Sequence, residues 1–252
     1  MAYEFIDYEK KGRVAYVTIT RPERLNALHP PANKELYEAF IDFKEDDDVW
    51  IAIVTGTGNK AFSAGNDLRY TAENWGEREK FTIRAPFGGI TSGYECYKPI
   101  IAAVNGYALG GGLELAMACD IIVMADHAEI GLPEPRVGLI AGAGGVHRLP
   151  RHIPLKRAMG MMLTAKRITA QEAYELGLAN EGLNLLPEPG LALTVLEALV
   201  IQDPLNGFLL GNGNVLLDVL LGALEHEQIA HQALVRRHEH EQLVRLVGRG
   251  CT

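Results

Sequence analysis

Cysteine is scarce in this chain, and its spacing disfavours the usual structural uses of the residue. The three cysteines, Cys96, Cys119 and Cys251, are far apart, and no CxxC motif or Cys/His cluster occurs. Neither a disulfide framework nor a structural zinc site is expected from this pattern. The N-terminal segment also lacks the apolar core of a secretory signal peptide. We therefore expect a protein of the reducing cytoplasm.

Positive charge and long apolar runs are scarce as well. Lys and Arg number 24 against 32 Asp and Glu, which gives a net charge of −8. Nucleic-acid phosphates repel such a surface, so non-specific binding to nucleic acid is not expected. The most apolar long stretch, residues 99–125, is interrupted by Asn105, Glu114, Asp120 and four glycines. A membrane-spanning helix tolerates such residues poorly, so no membrane association is expected.

Short β-branched segments alternate with an amphipathic one, which predicts an α/β fold. Residues 31–46 carry apolar side chains at helical spacing, including Leu36, Phe40 and Phe43, with acids between them. The other predicted elements are strands at 14–20, 50–55, 100–104 and 120–125 and a helix at 113–119. With 48% apolar residues, the chain can bury a large core.

The character of the sequence changes towards its C-terminal quarter. Thr169-Ala-Gln-Glu172 has the pattern of a capping box, and Gly177 marks the expected end of that helix. Beyond residue 190 the chain is Leu-rich and then rich in Glu, Gln and His, without a strand pattern. We predict a core over residues 1–190 and a helical region over 191–252. The tail histidines lack partners at ligand spacing and predict a solvated helix face rather than a metal site: His226, His231, His238 and His240.

Two glycine-containing turns precede candidate sites for a developing negative charge. In the segment 61–68, Gly65 permits a sharp turn that can leave backbone N–H groups facing a cleft, although an ordinary surface turn explains it equally well. In the second, Gly110 to Gly112 lie directly ahead of a helix, whose first N–H groups have no helical acceptor. Glu114 falls in the first turn of that helix, where many glutamates simply complement the helix dipole.

A second candidate glutamate is Glu134, which stands between Pro133 and Pro135. Prolines on both sides restrict the backbone and aim the side chain reproducibly. A rigid surface loop with a solvated acid explains the same pattern. Residues 142–145 then resemble another glycine-rich helix start.

Five segments within residues 14–181 carry the most specific signal. They are Arg21-Pro-Glu-Arg-Leu-Asn-Ala-Leu28, Phe62-Ser-Ala-Gly-Asn-Asp-Leu68, Lys98-Pro-Ile-Ile-Ala-Ala-Val-Asn-Gly106, Gly110-Gly-Gly-Leu-Glu114 and Pro133-Glu134. In order and spacing they resemble the crotonase (enoyl-CoA hydratase/isomerase) superfamily. The resemblance implies a crotonase-like spiral of ββα units with a C-terminal helical trimerisation region, forming a homotrimer or a hexamer of two trimers. It also implies an acyl-CoA substrate, with coenzyme A as part of that substrate rather than a cofactor, and a place in fatty acid metabolism.

Matched position by position, the resemblance implies an enolate-stabilising site. The backbone amides of Ala64 and Gly111 would form the oxyanion hole. Glu134 would protonate the α-carbon, and Glu114 would activate the water that attacks the β-carbon. The substrate-binding residues implied are Arg24, Leu25, Gly65, Asn66, Asp67, Leu68 and Gly110.

The same resemblance leaves the reaction open. Hydratases of the superfamily usually have glycine at the position of Gly142, whereas some isomerases and carnitinyl-CoA dehydratase-like members have aspartate. The segments 87–91 and 105–107, however, are similar to the carnitinyl-CoA dehydratase branch. An enoyl-CoA hydratase is therefore the leading prediction, with a carnitinyl-CoA dehydratase-like enzyme or an isomerase as the alternative. A non-catalytic acyl-CoA-binding scaffold is disfavoured, since a binder does not need both glutamates.

The tail also lacks the basic, Trp-containing helix that usually closes over CoA in this superfamily.

Overall fold

The computed structural model describes residues 3–74 and 85–183. The predicted helical region over 191–252, its histidines and its predicted trimer contacts fall outside these residues. Within them, no helix combines the length and the apolar character that a bilayer crossing requires.

The first sheet contains the strands that the sequence predicted. Its spatial order is β1 (Ile6–Lys11), β2 (Val14–Ile19), β3 (Ile51–Gly56), β5 (Ile100–Val104), β7 (Ile121–Ala125) and β10 (Glu181–Leu183). β1 and β2 are antiparallel, and the other neighbouring pairs are parallel. The four predicted strands are confirmed to within one residue at each end. β3 extends one residue beyond the predicted end and includes Gly56.

The second sheet was not predicted, because its strands are too short to show periodicity. Its order is β4 (Ala61–Ser63), β6 (Tyr107–Leu109), β8 (Glu129–Gly131) and β9 (Arg167–Thr169). The pairs β4–β6 and β6–β8 are parallel, and β9 runs antiparallel to β8. Three residues cannot establish an alternation of apolar and polar side chains, and glycines adjoin these segments.

In residues 3–74 and 85–183, six helices accompany the sheets. They are α1 (Pro30–Glu45), α2 (Leu68–Glu73), α3 (Gly111–Ala116), α4 (Gly145–His152), α5 (Leu155–Thr164) and α6 (Ala170–Glu175), with 3₁₀ turns at Pro22–Arg24, Phe87–Gly89 and Glu134–Val137. The capping box of α6 is confirmed: Glu172 N–H donates to Thr169 Oγ1, and Thr169 N–H donates to Glu172 Oε2, both at 3.2 Å. α3 begins two residues earlier than predicted, so its glycines form its first turn.

Helix α1 shows how the core is assembled. Pro30 starts it, which suits a position where the missing N–H would have no helical acceptor. The apolar face predicted from the spacing is fully buried, with Leu36, Phe40 and Phe43 at 0% exposure. Burial of each of these side chains contributes about 1.5–3 kcal/mol. This face joins the main hydrophobic core beneath the first sheet's strands.

The two sheets are linked by a repeated connection that fixes the place of the site. β3, β5 and β7 lie in the first sheet, and each is followed by a short strand, β4, β6 or β8, in the second. After each short strand comes a helix: α2, α3, or a 3₁₀ turn followed by α4. The predicted series of ββα units is thereby confirmed. Because β4, β6 and β8 are parallel neighbours, the segments that follow them meet at one edge of the second sheet.

Candidate active site

The turn after β4 is held by the segment that precedes α1. Leu28 N–H donates to Gly65 O at 2.7 Å, and Asp67 N–H donates to Leu28 O at 2.8 Å. These bonds form a parallel bridge between Leu28 and Asn66. In such a bridge the residues on either side of Asn66 make the bonds, so the Asn66 N–H points away from Leu28. Within the described residues, this N–H has no acceptor.

Ala64, the sequence-predicted oxyanion donor, is placed differently. Its N–H donates to Leu25 O at 2.9 Å. Leu25 reaches this position through a left-handed backbone conformation, with φ of 52°. The Ala64 amide is therefore occupied by the fold, and the free amide of this turn belongs to Asn66, two residues further on.

Gly65 brings this turn against the start of α3. Its φ is +87°, and a Cβ built on it would lie 2.6 Å from Leu109 O and 2.7 Å from Gly111 N. Only glycine permits both the conformation and the approach. Gly111 is the first residue of α3, so its N–H lacks a helical acceptor, and no described residue supplies another one. Two free amides, of Asn66 and Gly111, thus flank the Gly65 contact.

Asp67 was predicted to bind substrate, but the fold uses its carboxylate. It forms an ion pair with Arg21 at 2.9 Å, and both side chains are nearly buried. It also accepts a hydrogen bond from Tyr70 N–H at 3.0 Å and so caps α2. Although burial opposes ionisation, the Tyr70 N–H and the Arg21 charge hold the pKa of Asp67 below its ordinary value. Asp67 therefore stabilises the turn after β4 through these contacts.

Four other residues predicted to bind substrate have exposed side chains, whereas Gly110 is buried. Leu25 and Leu68 are 40% and 45% exposed, and Arg24 and the Asn66 side chain are exposed as well. They surround the turn that Gly65 and Asp67 fix. An exposed cation beside exposed apolar side chains is chemically suited to a phosphate-bearing nucleotide.

Glu114 is buried on α3, with 3% of its surface exposed. Its Oε1 accepts a hydrogen bond from Gly145 N–H, the first amide of α4, at 2.7 Å. Burial raises the pKa of Glu114 above its ordinary value, while the N–H groups of Gly145 and Ala143 and the charge of Arg148 partly oppose that rise. The Gly145 N–H thus fixes one carboxyl oxygen of Glu114.

Glu134 begins the 3₁₀ turn after β8, between its two prolines. Its Oε1 lies next to Gly110, where a built Cβ would stand 3.0 Å away. Its Oε2 is buried and has no hydrogen-bond partner. Burial raises the pKa of Glu134 and the nearby Glu114 charge raises it further, while its own backbone N–H partly opposes that rise. An unpartnered buried carboxyl oxygen is costly, which marks it as a group kept for a ligand.

Two further residues belong to this edge of the sheet but were not singled out from the sequence. Gly145 supplies the N–H to Glu114, a role that the glycine-rich helix start at 142–145 could have suggested, since such starts leave free donors. Phe87 lies over Gly111, with its ring 2.4 Å from a Cβ built there. No local sequence pattern predicts the contact between Phe87 and Gly111, because the two residues are 24 positions apart.

A buried glutamate and a half-buried one beside two free backbone donors are typical of an acid–base enzyme that acts through an anionic intermediate. The sequence profile of the enoyl-CoA hydratase/isomerase family matches residues 9–198, well over half of the chain. The chain belongs to this family, and the resemblance found in its motifs is confirmed.

Individual relatives agree with the family assignment. Carnitinyl-CoA dehydratase of Salmonella arizonae is 41% identical over 177 residues, which is 70% of this chain and 67% of that protein. The crystal structure of an enoyl-CoA hydratase from Mycobacterium tuberculosis is similar with a TM-score of 0.68 and 34% identity, covering 91% of this chain and 87% of that one. The structure of a carnitinyl-CoA dehydratase from Mycobacterium avium has a TM-score of 0.69 and 32% identity, with coverage of 94% and 90%.

Proposed function

We propose that this protein is a hydro-lyase that adds water across the double bond of a 2-enoyl-CoA thioester to give a 3-hydroxyacyl-CoA, and catalyses the reverse elimination. The observation that carries the proposal is the pairing of Glu114 with Glu134. One is fixed by an amide on a single oxygen, and the other has a buried, unpartnered oxygen. Hydration needs one group to orient water at the β-carbon and another to deliver a proton to the α-carbon.

The surroundings of the two carboxyls support different roles. Burial and the charge of Glu114 raise the pKa of Glu134 against the opposing effect of its own backbone N–H, so Glu134 suits the acid. The N–H groups of Gly145 and Ala143 and the charge of Arg148 favour the ionised form of Glu114, which therefore suits the base. In hydration the Glu134 proton goes to the α-carbon, and Glu114 takes a proton from the attacking water.

The oxyanion of the enolate is assigned here to the amides of Asn66 and Gly111. This replaces Ala64, whose N–H is bonded to Leu25 O. Preorganised donors of this kind are worth roughly 3–4 kcal/mol each in the transition state. Arg24 and Leu25, at the exposed side of the same turn, are assigned to the nucleotide end of CoA. Coenzyme A enters and leaves with the acyl group, so no separate cofactor is part of the proposal.

A carnitinyl-CoA dehydratase is the second candidate, and the names of the relatives favour it about equally. It would use the same chemistry: loss of water from a 3-hydroxyacyl thioester gives the conjugated 2-enoyl thioester. The candidates differ in the group beyond the β-carbon, which is a methyl in crotonyl-CoA and a trimethylammonium-bearing carbon in crotonobetainyl-CoA.

The test follows absorbance of the conjugated thioester after addition of crotonyl-CoA or crotonobetainyl-CoA. Wild type is expected to consume at least one of them, and Glu114→Gln and Glu134→Gln are expected to reduce the rate by roughly 10²–10⁴-fold, the usual contribution of a positioned acid or base. Glu129→Gln is the matched control, since Glu129 lies on β8 near Glu134 but pairs with Arg167 at the surface. Higher kcat/KM for crotonobetainyl-CoA would select the second candidate. Tight acyl-CoA binding without loss of absorbance from either substrate would refute both.

A further inference from the structure

Arg148 is a partly buried cation that is held by backbone carbonyl groups. It lies on α4, and its Nη2 donates to Thr91 O at 2.9 Å while its Nη1 donates to Ala143 O at 3.3 Å. In the part of the chain that the structure describes, no carboxylate lies within salt-bridge distance of this guanidinium. An arginine that is held by carbonyl oxygens alone retains its full charge for its surroundings.

The loop before α4 is shaped to admit the Arg148 side chain. A Cβ at Gly144 would lie 1.9 Å from Nη1, and Gly144 has φ of +114°. The guanidinium therefore occupies the space that any side chain at Gly144 would need. Because Gly144 directly precedes Gly145, Arg148 is packed against the peptide that aims Gly145 N–H at Glu114.

The two carbonyls that Arg148 holds belong to segments on different sides of α3. Ala143 lies in the loop that donates to Glu114 through Gly145. Thr91 ends the turn that begins at Phe87, to whose carbonyl its Oγ1 donates at 2.7 Å. Since the Phe87 ring covers Gly111, Arg148 ties the loop at Glu114 to the segment that covers the start of α3.

The charged groups around Glu114 are few. Arg148 faces it from α4, and Glu134 faces it from the 3₁₀ turn after β8. β4 and the Phe87–Gly89 turn carry no ionisable side chain, and β6 contributes only Tyr107, which is exposed. Burial raises the pKa of Glu114, and among the described residues Arg148 is the cation that opposes this rise.

We propose that Arg148 is a positioning residue for Glu114: by bracing the Ala143 and Thr91 carbonyls, it holds Gly145 N–H on one oxygen of Glu114 and leaves the other oxygen for the attacking water. This inference rests on the proposed function for its consequence in turnover. Its structural part concerns Glu114 alone and is measurable without turnover.

The experiment compares wild type with two variants. Arg148→Met removes the charge and both hydrogen-bond donors, and Arg148→Lys keeps the charge but not the planar guanidinium that donates to both carbonyls. The carboxyl resonance of Glu114 is followed by ¹³C NMR in protein labelled at glutamate Cδ and is assigned from its absence in Glu114→Gln. In Arg148→Met, Glu114 is expected to titrate at higher pH than in wild type, and Arg148→Lys, which keeps the charge but cannot brace both carbonyls, is expected to show a smaller shift in the same direction. In turnover, both variants are expected to lose kcat by about 10–100-fold with little change in KM, since a misplaced catalytic group costs about this much.

Two variants serve as controls. Arg151→Met removes a cation from the same helix, where Arg151 is exposed and bonds only to His147 O among the described residues. His152→Gln removes the ring whose pKa is lowered by burial and by Arg148. Both are expected to leave the Glu114 titration unchanged.

An unshifted Glu114 titration in folded Arg148→Met would overturn the inference. If Arg148→Met does not fold, full kcat in Arg148→Lys would overturn it instead. Absence of turnover in wild type would refute the proposed function alone, because the NMR titration still decides whether Arg148 acts on Glu114.

Discussion

Replacement of Gly65 by alanine tests whether the turn after β4 and the start of α3 must touch. A Cβ at Gly65 would lie 2.6 Å from Leu109 O and 2.7 Å from Gly111 N, roughly 0.8 Å closer than ordinary contact. The neighbours are backbone atoms, so they cannot yield by a side-chain rotation. The variant must displace the Gly111 amide by a large fraction of an ångström, and a misplacement of about 1 Å costs roughly 10²-fold in rate.

The matched control is Gly58→Ala. Gly58 has φ of +83°, close to the +87° of Gly65, but no atom lies within 4 Å of a Cβ built there. Both variants pay the same left-handed backbone strain of about 1–2 kcal/mol, and only Gly65→Ala adds the clash.

Thermal unfolding and the initial rate of thioester absorbance loss are measured for both proteins. A larger loss of Tm in Gly65→Ala than in Gly58→Ala, with a fall of kcat in Gly65→Ala alone, is the expected result. Full kcat in folded Gly65→Ala would refute the assignment of Gly111 N–H to the oxyanion.

Two further predictions concern ionisation. Glu114→Gln removes a negative charge that raises the pKa of Glu134, so the Glu134 carboxyl is expected to titrate at lower pH by ¹³C NMR; an unchanged titration would show that the two groups do not interact. His29 is 4% exposed and its pKa is lowered to about 4, first by burial and then by Arg21. As pH falls, the unfolded state therefore takes up a proton on His29 before the folded state does. The contribution of His29 to the free energy of unfolding is fully present above pH 6.5, and up to about 3 kcal/mol of it is lost as pH drops through 4. His29→Asn is expected to remove that fall in urea unfolding measured at pH 7, 5 and 4, and parallel pH curves for both proteins would contradict it.

The sequence predicted four of the six strands of the first sheet, because these four are apolar and rich in β-branched residues. Segments 100–104 and 14–20 are rich in β-branched residues and end at turn residues. The ends of these strands can therefore be predicted from the neighbouring residues alone. β1 was missed for the opposite reason. Ile6–Lys11 is an edge strand with several exposed charged residues, and edge strands often carry such residues instead of an apolar pattern.

The candidate site was predictable as a set of segments but not atom by atom. Glu114 and Glu134 were chosen from their glycine and proline neighbours, and the structure brings both to the same edge of the second sheet. Which amide of residues 63–67 remains free depends on the hydrogen bonds to Leu25 and Leu28, about 40 positions earlier. The same applies to Asp67, whose partner Arg21 is 46 positions away. Local patterns carry no information on such pairings.

The division of labour between the two glutamates follows from their unequal surroundings. Burial acts on both and raises both pKa values. If burial were the only influence, nothing would decide which carboxyl holds the proton. Glu114, however, is also acted on by the Gly145 and Ala143 N–H groups and by the charge of Arg148, whereas Glu134 has its own backbone N–H and is repelled by the charge of Glu114. The charges of Arg148 and Glu114 both move the proton towards Glu134. Since environments that separate two pKa values assign acid and base, the geometry supports Glu134 as the proton donor to carbon and Glu114 as the group that activates water.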